Sequence, residues 1–199
     1  GRLAAAHHGV GVNLLIDNDL VEQPGIRVPG GTIDLPTLET ILYDTPNAAM
    51  PWEERPILDS QRFESFGAAV CTQIAPLVDR PAVCSMWPLV VERARATGNL
   101  GLSLAQGRHR LEGAWGLETL ELPLSRLCGF EAFHWFVAHL LAELPRFQRI
   151  YNDSLLEYRR AARIRSRSHP VPELATAGDW LEAPFWIWQT EQPRRRRLF

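Results

Sequence analysis

Asp17 and Asp19 flank Asn18 directly after a short apolar run, a spacing that can do chemistry. In open α/β sheets, acidic residues beyond the carboxyl end of a strand can hold a ribose hydroxyl, an amine or a metal-bound phosphate. Two carboxylates two residues apart could sit on opposite sides of one ligand. A surface turn also explains them, because Asp and Asn make local hydrogen bonds there. A second cluster alternates Arg163, Arg165 and Arg167 with Ser166 and Ser168, just before His169. Guanidinium forks and hydroxyls suit phosphate or carboxylate, although exposed arginines compensating a helix end are an equally ordinary reading. Taken together, Asp17 and Asp19 are the candidate catalytic residues. Arg163, Arg165, Arg167 and His169 are the candidates for binding an anionic small molecule.

Two further patterns carry less. Glu131 and His134 lie at i, i+3, and so do His109 and Glu112, as in di-iron helical bundles. The glutamates such a centre needs from other helices are not suitably spaced, so no metal site is expected, and no cofactor is assigned. Arg194–Arg197 cannot all point one way on a strand. With a net charge of −2, the chain lacks the basic excess that phosphate contacts demand, which argues against nucleic acid as a partner.

Composition narrows the chemistry. All 21 basic residues are arginine, so a Walker A lysine and a Schiff-base lysine are excluded within these 199 residues. Cys71, Cys84 and Cys128 are odd in number and lack Cys-x-x-Cys pairing, which suggests buried free thiols in a reducing compartment and a cytoplasmic location. No signal peptide is evident, and the most apolar stretch, 130–144, is too short and too polar to span a bilayer. The ends, opening on Leu3-Ala4-Ala5-Ala6 and closing after a run of arginines, suggest an internal piece of a longer protein. Nothing in the sequence sets an oligomeric state.

The elements that must position these residues follow from periodicity. Val10–Ile16 reads as a strand central to its sheet, since it alternates, lacks charge and follows a turn at Gly9. Ile26–Val28 and Thr32–Leu35 flank a turn expected at Pro29-Gly30-Gly31, Leu38–Tyr43 reads as a further strand, and Pro46–Pro56 as a loop. Asp59 or Ser60 caps a helix carrying Phe63, Phe66, Val70 and Ile74 on one side. Another helix starts after Asp79, is interrupted at Pro88 and stops at Gly98-Asn99, and Leu100–Trp115 continues helical. Leu117–Leu122 is a strand or extended connector. Phe130–Leu144 and Phe147–Arg163 are expected as separate helices broken at Pro145 and packed through their aromatic faces. Phe185–Trp188 closes as an aromatic strand.

Several of these segments together resemble an uncharacterised bacterial protein family: the strand into Asp17-Asn18-Asp19, Leu38 to Arg55, His134 to Arg160, Arg163 to Pro172, and Asp179 to Trp188. The Val10–Ile16 strand with Asp17 and Asp19 is also similar to the cysteine-adding ligase family of bacillithiol synthesis, whose aromatic and histidine residues around that loop are absent here. That resemblance implies a Rossmann-like core whose strand leads into an acidic loop, followed by inserted helices. The expected fold is therefore α/β: a fragment of a Rossmann-like sheet at 1–58, a large helical insertion at 59–170, and a C-terminal aromatic strand or hairpin at 171–199. The expected function is a ligase- or transferase-like enzyme binding an anionic small molecule such as a nucleotide or sugar phosphate. The alternative is a non-catalytic protein-interaction module.

Overall fold

The computed structural model describes residues 2–47, 49–189 and 194–199. The chain divides into two compact units, Gly1–Leu127 and Cys128–Phe199. The class is mixed α/β, and each sheet among the described residues has two strands.

In the first unit, α1 (Arg2–Ala6) precedes β1 (Gly11–Leu15) and the short β2 (Leu20–Val21). The hairpin β3 (Gly25–Gly31) and β4 (Pro36–Leu42) follows. The turn expected at Pro29-Gly30-Gly31 lies inside β3, with Pro29 opposite Leu38 and Gly30 opposite Thr37. The chain reverses instead at Thr32–Leu35, after Gly31 adopts a φ of 75°. There the Leu35 N–H donates to Thr32 Oγ1 at 3.1 Å. A two-stranded ribbon tolerates the proline because one edge of each strand has no ladder to serve. Within the expected loop, β5 (Met50–Pro51) pairs antiparallel with β2.

Three helices form the apolar body. Asp59 caps α2 (Ser60–Ile74), its side chain accepting from the Arg62 N–H at 2.9 Å. The helix α3 (Val83–Thr97) runs through Pro88 without the expected interruption. One lost backbone bond there is outweighed by burial of the neighbouring Trp87, Val90 and Val91. Gly98, at a φ of 65°, ends α3, and Asn99 caps α4 (Leu100–Ala114) by accepting from the Leu102 N–H at 2.8 Å. Gly67 of α2 and Gly107 of α4 are close-approach points. A Cβ on the first would strike Trp87, and on the second Val90. The core joins Val28 and Tyr43 of the hairpin region to Phe63, Phe66, Trp87 and Val90. The boundary expected at 58/59 thus falls inside the first unit, where α2 packs on β3 and β4.

Next, β6 (Thr119–Pro123) pairs parallel with β1, placing Asn13 opposite Glu121, and α5 (Leu124–Leu127) follows. The strand expected at Val10–Ile16 is therefore present, but not in a central position. Among the described residues β1 has one neighbour, and Val12, Leu14 and Ile16 are exposed. Alternation reports an extended segment and says nothing about how many strands flank it. A parallel pair is seen, and a Rossmann-like sheet is not seen among the described residues.

Cys71 and Cys84 form a disulfide with a Cα–Cα distance of 5.9 Å, correcting the expectation of free thiols. The short link between α2 and α3 brings the two cysteines together, which their spacing in sequence does not reveal. The argument from thiols for a reducing compartment falls with it.

In the second unit, α6 (Glu131–Ala142) and α7 (Leu144–Ala161) are separate, with Pro145 in the first turn of α7, where a missing N–H is tolerated. They do not pack through aromatic faces. Phe136 is 51% exposed and Trp135 64%, and the ring pairs Phe133–Phe136 and Phe147–Tyr151 run within each helix. Two hairpins close the chain, β7 (Thr176–Ala177) with β8 (Trp180–Leu181), and β9 (Trp186–Gln189) with β10 (Arg194–Arg197). The last is an aromatic hairpin in which the Arg195 guanidinium lies 4.3 Å from the Trp186 ring centre. No helix among the described residues is long and apolar enough to cross a membrane.

Candidate functional site

The carboxyl ends of β1 and β6 lie side by side because the two strands are parallel and in register. Asp17 follows β1, and Ser125 follows β6. The Ser125 N–H donates to Asp17 Oδ1 at 2.9 Å, and its hydroxyl donates to Asp17 Oδ2. The carbonyl of Asp17 accepts from the Glu53 N–H at 2.8 Å, and that of Asp19 from the Trp52 N–H at 3.0 Å. Asn99 binds the same segment from the other side, donating from Nδ2 to the carbonyls of Trp52 at 3.2 Å and Glu53 at 2.9 Å. The end of β1 and the turn after β5 are thereby tied by main-chain bonds, and the Asn99 side chain ties that turn to the start of α4.

These elements surround a cavity of about 230 Å3. Asp17, Glu53 and Asn99 line it alongside apolar walls that include Leu15, Trp52 and Leu102, and among the described residues no basic side chain contributes. The Glu53 carboxyl is pushed up from its ordinary range, first by burial and then by the negative charges of Asp17 and Glu54, against a hydrogen bond with Ser125. A carboxyl moved upward in this way holds its proton more tightly than an ordinary carboxyl and is a stronger base once ionised. Two carboxylates without a cation favour a ligand that offers N–H or O–H.

The sequence candidates separate. Asp17 lines the cavity, whereas Asp19 is exposed and its Oδ1 accepts from the Leu20 N–H at 2.9 Å, a turn role. Arg163, Arg165, Arg167 and His169 are exposed and belong to the second unit. Their loop is organised by Arg159, which is buried. Its Nη2 donates to the carbonyls of Arg167 and Val171, its Nε to that of His169 at 3.1 Å, and its Nη1 to Glu173 at 2.6 Å. A third group, His109, Glu112 and Glu121, brings its ligand atoms within 4.8 Å of one another.

No family model, curated protein or solved structure matches this chain. Functional meaning therefore rests on the chemistry of these side chains. Sequence reasoning missed Glu53, Ser125 and Asn99 as site residues. Asn99 was legible as a helix boundary, but its second task needs the fold. Ser125 could be found only once β1 and β6 were known to be parallel neighbours.

Proposed function

We propose that this chain is a ligase- or transferase-like enzyme whose Asp17–Glu53 cavity takes the reactant that offers an amine or hydroxyl. The observation that carries this reading is the meeting of Asp17, Glu53 and Asn99 around one cavity at the carboxyl ends of two parallel strands, where α/β enzymes bind ligands. Asp17, held by Ser125, orients the N–H or O–H. Glu53 accepts the proton as nitrogen or oxygen bonds to an activated acyl carbon or phosphorus, and the leaving group departs with its bonding pair. The activated co-reactant is an anionic small molecule, a nucleotide or sugar phosphate. By themselves, Arg163, Arg165, Arg167 and His169 are candidate ligands for an anion on the second unit.

One observation favours a second reading, a non-catalytic protein-interaction module: Phe130, Trp135 and Phe136 are all more than half exposed around one helix. Thermal unfolding in the presence of ethanolamine, benzylamine, glycerol, ATP and glucose 6-phosphate separates the two. A bound small molecule stabilises the folded state by mass action. The enzyme reading expects an amine or alcohol to raise the melting temperature of the wild type and not of Glu53→Gln. No response to any of the five favours the interaction module.

A further inference from the structure

We propose that His109, Glu112 and Glu121 form a binding site for a divalent transition metal of the zinc kind, with one coordination position facing an open cavity. His109 and Glu112 stand one turn apart on α4, and Glu121 reaches them from β6, supplying the partner that local spacing does not offer. One imidazole with two carboxylates, leaving a position open, is a ligand set that zinc accepts in catalytic sites.

Two observations separate this group from an ordinary acidic surface. The Nδ1 of His109 is buried without a hydrogen-bond partner, 3.8 Å from Glu121 Oε1. The Oγ1 of Thr119, two residues before Glu121 and so on the same face of β6, is likewise buried and unpartnered. Both His109 and Thr119 line a cavity of about 850 Å3, which gives water or a substrate a route to the metal. Buried polar atoms without partners are costly, and a metal with its bound water would satisfy them. Asn13 also positions Glu121, its Nδ2 donating at 3.1 Å to Oε1, the oxygen that Arg108 contacts; such hydrogen bonds to ligating carboxylates orient them in metal centres.

Arg108 bridges both carboxylates, with Nη1 2.5 Å from Glu112 and Nη2 against Glu121. Its side chain is 38% exposed, so it can leave. The guanidinium is a resident counter-charge that keeps the two glutamates together, and a metal replaces it. Arg108 thus competes with the metal and sets its affinity.

Titration of the chain with Co2+, followed by visible absorption and by competition with Zn2+, tests the site. One Co2+ per chain is expected to bind in a form that Zn2+ displaces. His109→Ala and Glu121→Gln should each weaken it by more than about 100-fold. Arg108→Gln should tighten it by about tenfold, as two partly buried ion pairs no longer compete. Should that variant not fold, Asn13→Ala serves, with an expected loss of about 10- to 100-fold. No binding to the wild type, binding that survives His109→Ala, or weaker binding to a folded Arg108→Gln overturns the proposal.

Discussion

Around Trp87, the first unit closes like a conventional core: the indole ring meets Phe63, Phe66 and Tyr43, and its N–H donates to the Phe63 carbonyl at 2.6 Å. Around Arg159, the second unit closes by directional bonds. Gln148 Nε2 donates to the Ala175 carbonyl at 2.7 Å, Asn152 exchanges bonds with Leu174 at 2.9 and 3.0 Å, and Glu182 accepts the Ala175 N–H at 2.8 Å. The apolar stripes of α2 and α3 find each other, while much of that of α6 stays exposed. The two regions show that an apolar helical stripe specifies a face, and that the partner decides whether the face becomes core.

Substitutions can break or sharpen this contrast. Trp87→Ala should cost about 4 kcal/mol in chemical denaturation, because it removes the largest ring of the core. Asp44→Ala should cost about 3 kcal/mol. It strips Arg55, fully enclosed, of its carboxylate, and frees the N–H groups of Leu58 and Asp59. The same enclosure pushes the Tyr43 hydroxyl up to about 12, by burial first, partly offset by Arg55. Arg159→Ala should cost about 2 kcal/mol, read as faster hydrogen exchange at 163–174 with the amides of α2 and α3 unchanged. Equal acceleration in both units would remove the contrast.

Glu53 has a smaller, pH-dependent effect. A carboxyl whose value is raised in the folded state contributes stability that is complete below the ordinary carboxylate range. That contribution is lost as pH rises through the raised value. Glu53→Gln should therefore gain on the wild type in melting temperature at neutral pH, and show no gain at acid pH. Phe136→Ala, on the exposed face of α6, should cost less than about 0.5 kcal/mol.

Much of the local structure was legible. The Asp59 cap, the stop at Gly98-Asn99, the aromatic C-terminal strand and the strand that leads into Asp17 each follow from residues acting on their near neighbours. What was not legible depends on contacts distant in sequence. The pairing of β1 with β6 spans about a hundred residues, and neither strand encodes the other. The Cys71–Cys84 bond and the turn at Thr32–Leu35 are decided by geometry that periodicity does not carry. Of the site, Asp17 was visible because a strand ran into it. Glu53 was not, since its role comes from the Asp17 carbonyl and Asn99 holding its backbone at the cavity.

The central claim is that Asp17 and Glu53 share a cavity that receives an amine or hydroxyl, and the titration of Glu53 itself tests it most directly. Carbon NMR of the Glu53 carboxyl against pH, without and with benzylamine, should show a midpoint above the ordinary carboxylate range in the free protein. Asp17→Asn should lower it, and so should the bound cation, which favours the ionised carboxylate. A midpoint in the ordinary range, unmoved by Asp17→Asn and by benzylamine, would contradict the account.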